Sequence, residues 1–451
     1  MQARFDAAAA PVDIPALIDA HPVSRFQVGI MVLVACAVVM DGFDVQAMGF
    51  VAPAIIRSWG VDRASLGPVF GAGLLGMLFG SLALSVLADR IGRRPVLIMA
   101  TLFFGLLMLV TPLAGNIREL LGLRFVTGFG LGGIMANAIA LVGEYSPRRR
   151  RVSLMMWVSC GFTGGAVLGG LVSAVLIPWL GWQSVFGVGG AIPLAMVAAM
   201  LAWLPESMQF LVMRDRRLDD VRRWLARIAP TAAIGPDTRF VSHEKKRDDA
   251  PVTALFQDGR VTQTLLLWGI NFTNLLNLFF LANWLPTLAS AAGRSDADAA
   301  LLGTALQVGG LAGTILMGPL IDRLGFHRVL VPIFVAGAIA VASIGQPGVS
   351  AAALYALVMV GGFSIVGGQP AVNALAATLY PTSLRATGIG WSLGIGRIGS
   401  IVGPVLAGHL IGLHWQNDRL FIAAAVPAAL SCVMLLAMAA TTAVSPSPES
   451  R

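Results

Sequence analysis

The sequence predicts an all-α membrane protein of about twelve transmembrane helices, arranged as two pseudo-symmetric halves of six. Three observations carry this. Of the 451 residues 57% are hydrophobic and only 12% charged, with a mean hydropathy of +0.80, which leaves too little polar surface for a fold dissolved in water. Apolar runs of roughly 20 residues, the length a helix needs to cross hydrocarbon, recur from end to end, where a membrane β-barrel would show short alternating segments. The only long polar stretch, residues 205–261, divides these runs into two equal groups. The 52 glycines fit the same picture, because a missing side chain lets membrane helices approach closely.

In order, the runs place helices at 27–50, 66–88, 95–114, 118–142, 152–177 and 183–204, then at 262–288, 299–322, 327–346, 350–375, 384–411 and 419–441. The chain thus divides into an N-terminal segment 1–26, a half 27–204, a linker 205–261, a second half 262–441 and a tail 442–451. Arg214, Arg216, Arg217, Arg222, Arg223, Lys245, Lys246 and Arg247, interspersed with acids, make the linker read as a solvated connection with some amphipathic helix. Basic residues at Arg90 to Arg94, Arg148 to Arg151, the linker, Arg323 to Arg328 and Arg385 all fall on one side, which is predicted to be cytoplasmic together with both termini. The opposite loops carry fewer, among them Arg57, Arg63, Arg118 and Arg294. Topology therefore explains the pI near 10.4 better than nucleic-acid binding does. Cys36, Cys160 and Cys432 lie in apolar segments and read as free thiols. Residues 1–25 contain Asp6, Asp13, Asp19 and Arg25 and lack a continuous apolar core, so the first helix itself is expected to direct insertion.

An internal repeat supports the two halves. Leu87-Ala88-Asp89-Arg90-Ile91-Gly92-Arg93-Arg94 matches Leu320-Ile321-Asp322-Arg323-Leu324-Gly325-Phe326-His327-Arg328, each between the second and third helix of a half. Asn137-Ala138-Ile139-Ala140 followed by Tyr145 and Pro147 matches Asn373-Ala374-Leu375-Ala376 followed by Tyr380 and Pro381. The repeated loop and the paired halves resemble the major facilitator superfamily over nearly the whole chain. Asp41-Gly42-Phe43-Asp44 is similar to the Asp-Gly-x-Asp motif of the aromatic acid:proton symporters, such as 4-hydroxybenzoate and protocatechuate permeases. Arg124, Glu144, His327, Arg385 and Arg397 fall where that family has charged residues, and Ala16-Leu17-Ile18-Asp19 with Ser24-Arg25-Phe26-Gln27 fits the same group. Ser85 departs from it, standing where the loop motif begins with glycine, whereas Gly318 keeps the glycine in the second half. The resemblance implies a secondary transporter in the bacterial inner membrane. It would work as a monomer and import a hydroxylated aromatic carboxylate with a proton by alternating access, driven by the proton gradient and without a cofactor.

The same residues carry a physical reading. An ionisable group inside a membrane helix costs a few kcal/mol at least, so one that persists there faces a cavity or a partner. The i, i+3 spacing of Asp41 and Asp44 sets their carboxylates on one face, about 4.5 Å apart along the axis and at mid-to-outer depth. Two close carboxylates resist joint ionisation, which suits a reversible proton carrier, and with Arg124 they form the candidate proton-coupling set. The alternative is that the two acids only neutralise Arg124. Arg397, near the midpoint of the eleventh helix in Gly394-Ile395-Gly396-Arg397-Ile398-Gly399, offers a planar fork for a substrate carboxylate, with room left by the glycines. Pairing with groups of another helix is the competing role. Asn271, Asn274 and Asn277 form a polar stripe that suits ring hydroxyls or, equally, bonds between helices. Trp391, with Phe272 and Trp284, offers a stacking surface or plain packing.

Asp89, Arg90, Arg93, Glu144, Asp322, Arg323, His327, Arg328 and Arg385 form a candidate cytoplasmic gate, whose ion pairs across the halves would hold the outward-facing state. Their other role is to set topology. His327, His409 and His414 make no metal cluster, and no Walker lysine motif, Gly-x-Ser-x-Gly elbow or His-Glu-x-x-His run occurs, so no enzyme and no ATP-driven pump is expected. An exporter, a symporter of sugars or other acids, and a membrane-embedded sensor are the alternatives to uptake. A sensor would carry a soluble output domain, for which the linker is too short and polar.

Overall fold

The computed structural model describes residues 12–232, 235, 238–241, 252–381 and 384–444. The linker cluster Lys245, Lys246 and Arg247 and the tail beyond residue 444 lie outside the described residues. Among those described, twelve helices are long and apolar enough to span a bilayer.

A short strand β1 (Val12–Asp13) and helix α1 (Ile14–Ala20) precede the first span. The first half then comprises α2 (Arg25–Trp59), α3 (Leu66–Ile91), α4 (Arg93–Val110), α5 (Ile117–Glu144), α6 (Arg148–Leu180) and α7 (Gln183–Trp203). The linker forms α8 (Met208–Met213), α9 (Leu218–Ile228) and β2 (Phe240–Val241). The second half comprises α10 (Val261–Ala291), α11 (Asp296–Leu324), α12 (Phe326–Ile344), a tenth span made of α13 (Ala351–Gly361) and α14 (Gly368–Leu379), then α15 (Arg385–Gly412) and α16 (Asn417–Val444).

Local chemistry sets several boundaries. Ser24 and Gln27 form a reciprocal capping box that opens α2, and Gly60 ends it in the left-handed conformation at φ 63°. Pro53 does not stop this helix, which runs nine residues past the expected end at 50. Asp41 and Asp44 consequently sit near the middle of a 35-residue helix and not toward its outer end. The tenth span is not one regular helix. A π-helical turn at Gly362–Val366, closed by Gly367 N–H donating to the Gly362 carbonyl at 3.0 Å, separates α13 from α14.

Packing repeats between the halves. The first helix of each lies on its fifth (α2 on α6, α10 on α15), the second on its fourth (α3 on α5, α11 on the tenth span), and the third on its sixth (α4 on α7, α12 on α16). Between halves, α2 meets α10, α3 meets α15 and α6 meets α11. Small residues permit the closest of these approaches. A Cβ at Gly42 would fall on the Phe162 carbonyl, and one at Gly165 on the Val39 carbonyl, so α2 and α6 touch backbone to backbone.

The linker differs from a solvated connection. Val221, Leu225 and Ile228 of α9 are buried in the main core, and β1 pairs in parallel with β2, Val12 N–H donating to the Arg239 carbonyl at 2.8 Å. Arg148 holds Asp19 of α1 at 3.3 Å on the same face. The apolar stripe of α9 outweighs its charges, because it has the ends of the first half to lie on.

Gly165→Ala is expected to lower the unfolding midpoint in detergent, at a cost of about 1–3 kcal/mol from overpacking. Gly164→Ala, whose added methyl meets nothing within 4 Å, should leave it unchanged.

Candidate functional site

The charges of α2 have different fates. Asp44 is fully buried and accepts a two-pronged bond from Arg124 of α5, Nη1 to Oδ1 at 3.0 Å and Nη2 to Oδ2 at 2.9 Å. Nη2 also reaches the Asp44 carbonyl at 3.4 Å, and the guanidinium lies 6.0 Å from the centroid of the Phe186 ring. Such a fork, removed from water on all sides, ties α2 to α5. Asp41, one turn earlier, points elsewhere. It is equally buried, and neither carboxylate oxygen has a hydrogen-bond partner among the described residues.

Asp41 lines a cavity of about 300 Å³ between the two halves, and Arg397 of α15 lines it from the second half. The Arg397 guanidinium makes no hydrogen bond or ion pair with a described residue; only its backbone carbonyl is engaged, by Ser400 Oγ at 2.7 Å. The neighbouring glycines do not all make room for a ligand as the sequence suggested. Added methyls at Gly396 and Gly399 would strike Leu275 and the Phe272 carbonyl, so these two serve the contact with α10, and only Gly394 has open space around it.

The asparagine stripe of α10 supports the cavity from behind. Asn271 donates to Ser392 Oγ at 2.6 Å and accepts from Gln369 Nε2 at 2.9 Å; Asn274 donates to Gln369 Oε1 at 2.7 Å and to the Ile365 carbonyl at 3.1 Å. Asn277 is fully buried, with neither amide atom partnered among the described residues. None of the three lines the cavity, whereas Gln369 and Asn373 of α14, joined at 3.1 Å, do. Sequence reasoning quoted Asn373 only as part of the repeat and missed Gln369, whose four-residue spacing from Asn373 was the available signal. Phe162, Phe279 and Leu275 supply apolar wall. The aromatic candidates lie elsewhere. Trp391 is 45% exposed and stacks on Trp268 at 6.0 Å, Trp284 is buried and donates to the Pro404 carbonyl at 3.0 Å, and Phe272 packs on α15.

On the linker face, Arg93 pairs with Glu144 at 2.7 Å, and Ser207 donates to the other Glu144 oxygen. Glu206 accepts from the backbone N–H groups of Arg93, Arg94 and Ser207 at 2.9, 3.1 and 2.8 Å. The carbonyl of Asp89 accepts from Arg214 at 3.4 Å, while Arg90 forms no ion pair among the described residues. These contacts stay within the first half and the start of the linker, and Glu206 and Ser207 were not expected in them. In the second half, Asp322, Arg323, Arg328 and Arg385 form no ion pair among the described residues, and His327 Nε2 is buried without a hydrogen-bond partner there. No cross-half latch is closed on this face among the described residues.

The opposite face is closed. Arg57 of α2 pairs with Asp296 of α11 and donates to Ser290 Oγ of α10 at 3.0 Å. Gly49 abuts Ala282, Gly67 abuts Gly408 and Gly170 abuts Thr304, all toward this face. The halves therefore meet away from the linker and leave their charged cavity at mid-depth.

A multi-pass bundle of two related halves, with a polar cavity at their interface and closure on one face, defines a membrane transport protein of the alternating-access kind. The chain belongs to the Major Facilitator Superfamily, whose model matches residues 34–216 and 267–451. It is 41% identical over 426 residues to a 4-hydroxybenzoate transporter of Pseudomonas aeruginosa, covering 94% of this chain and 95% of that one. It is 39% identical over 429 residues to a gallate transporter of Pseudomonas putida, covering 95% of each. Its fold is similar, with a TM-score of 0.73 at 16% identity over 94% of this chain and 99% of the other, to a bacterial homologue of the human lysosomal transporter Spinster in an inward-facing, occupied conformation.

Asp44→Ala strands the Arg124 guanidinium and is expected to cost about 3–5 kcal/mol, read as a fall in the unfolding midpoint. Asp41→Asn, with no bond to lose, should leave that midpoint unchanged or raise it.

Proposed function

We propose that this protein imports a hydroxylated aromatic carboxylate, of the hydroxybenzoate kind, together with one proton, with the linker face cytoplasmic in a bacterial inner membrane. The observation that carries the reading is the shared cavity of Asp41 and Arg397, an acid on one half and a base on the other, neither with a partner among the described residues. The guanidinium fork suits a carboxylate in two parallel bonds, the Gln369–Asn373 amides suit ring hydroxyls, and the apolar wall suits the ring. The named activities of the two curated relatives support the same substrate class. The basic loops of the linker face support its cytoplasmic placement.

Charge counting supplies the coupling. An enclosed site that carries net charge is costly in a low-dielectric interior, whereas a neutral one is not. With the cavity empty, Asp41 as carboxylate and Arg397 as guanidinium sum to zero. A proton alone on Asp41 leaves one positive charge, and a substrate carboxylate alone on Arg397 leaves one negative charge. Both together restore zero. Only the empty and the doubly loaded forms therefore close cheaply, which gives one proton per substrate. Asp44 and Arg124 neutralise one another within the first half and hold α2 in place through the cycle. The proton gradient drives accumulation without a cofactor, and the monomer contains the whole site.

Cells expressing the chain, given labelled hydroxybenzoates, dihydroxybenzoates, a phenylpropanoid, a dicarboxylate and a sugar, are expected to accumulate only hydroxylated benzoates, and only while the proton gradient stands. Uptake that survives a protonophore rejects symport, and uptake of none of the panel rejects import. Asp41→Asn should abolish accumulation against a gradient yet preserve exchange of internal for external substrate; unaltered accumulation would remove Asp41 from the proton path. Arg397→Lys keeps the charge and loses the fork, so KM should rise about tenfold or more.

A further inference from the structure

A second cavity lies outside the transport pathway. On the linker face a groove of about 750 Å³ opens between the first turns of α2, the start of α4, the end of α7 and the amphipathic α9. Five arginines line it, Arg25, Arg94, Arg217, Arg223 and Arg227, against two carboxylates, Glu206 and Asp220. Glu206 is committed to the backbone amides already described. Asp220 alone serves both Arg217 and Arg223. Arg25 is exposed and forms no ion pair among the described residues, Arg227 lies 5.5 Å over the Phe26 ring, and the buried Nε of Arg94 has no hydrogen-bond partner among them. The groove thus holds an excess of fixed positive charge.

Its floor is of the opposite character. Val32, Leu33 and Cys36 of α2 and Trp203 of α7 line it, and Val28, Val32 and Cys36 form an exposed stripe along α2 at four-residue spacing. Val32 is 57% and Trp203 73% exposed, on a helix pair whose outer surface faces hydrocarbon. Trp203 ends α7, the level at which tryptophan marks the edge of a bilayer. Cations at headgroup height above an apolar seam open to the membrane match one class of ligand. A soluble anion gains nothing from the seam, and a nucleic acid or acidic peptide cannot enter it.

We propose that this groove binds an anionic phospholipid from the leaflet on the linker face, its phosphate held by Arg25, Arg223 and Arg227 and an acyl chain lying along Val32 and Cys36. The bound lipid bridges α9 of the linker to α2, the helix that carries Asp41. This inference rests on the membrane-spanning fold and stands whether or not the substrate is aromatic.

Native mass spectrometry of the purified full chain, offered phosphatidylglycerol, phosphatidylethanolamine or glycerol phosphate, tests it. Phosphatidylglycerol should be retained in preference to the others, and the combined variant Arg25→Gln, Arg223→Gln, Arg227→Gln should lower that retention about tenfold or more. Equal retention of phosphatidylethanolamine, glycerol phosphate binding as strong as the lipid, or unchanged retention in the variant overturns the proposal. A second measurement keeps the arginines intact. With Cys160→Ser and Cys432→Ser leaving Cys36 as the reporter thiol, maleimide labelling should slow several-fold in vesicles of phosphatidylcholine mixed with phosphatidylglycerol relative to phosphatidylcholine alone. Equal rates in the two vesicles overturn it.

Discussion

A guanidinium and a carboxylate buried together inside the first half constrain the rest of this molecule. Neither Arg124 nor Asp44 can stand alone in a medium without water, and their fork locks α2 against α5. Gly42, between the two acids of α2, is bare because the α6 backbone passes over it. With one flank of α2 pinned by charge and another by backbone contact, Asp41 is turned toward the second half. Two residues of the same type, three positions apart, thus acquire different physics from their neighbours. A charge satisfied within its own half travels with that half. A charge whose complement sits across the interface feels every movement of one half against the other.

The two faces of the bundle divide the labour unequally. Away from the linker, glycines let helices of opposite halves touch, and Arg57 with Asp296 closes the seam. Toward the linker, the charges repeated in both halves are used differently: in the first they knit α4, α5 and the end of α7 together through Glu144 and Glu206, while in the second they form no ion pair among the described residues. Alternating access requires that the contacts holding one face closed be absent while the other is closed, and the observed asymmetry is one half of such a cycle.

How much of this was legible in the sequence depended on whether the bilayer or the protein imposed the constraint. Hydrocarbon thickness is a ruler, so twelve spans and their division into halves could be read from apolar length alone. Lipid penalises stray charge, so Asp41, Asp44, Arg124 and Arg397 could be singled out as well. The facing of side chains was not legible, because a helix apolar all round carries little record of which side meets protein. Asn271 and Asn274 accordingly hold Gln369 in place behind the cavity wall, and Trp391 sits on the outside against Trp268. Helix ends projecting beyond the hydrocarbon escaped the same ruler, and with them the central depth of Asp41. The amphipathic character of α9 was visible, but the surface it covers was not.

The π-helical turn at Gly362–Val366 sets the phase of everything after it in the tenth span. An α-helix advances about 100° per residue, and a π-turn accommodates one residue more than the regular ladder would. Gln369 and Asn373 face the cavity because that extra residue is there. Deleting any one residue of the turn would let the ladder close into a continuous helix, equally long for the membrane and equally apolar, with its lower part rotated by about 100°. Composition and topology would be preserved, and the amides would face a different neighbour. Chemical selectivity in this half is therefore encoded partly as a count of residues, and a single-codon insertion or deletion can alter it where no substitution has occurred.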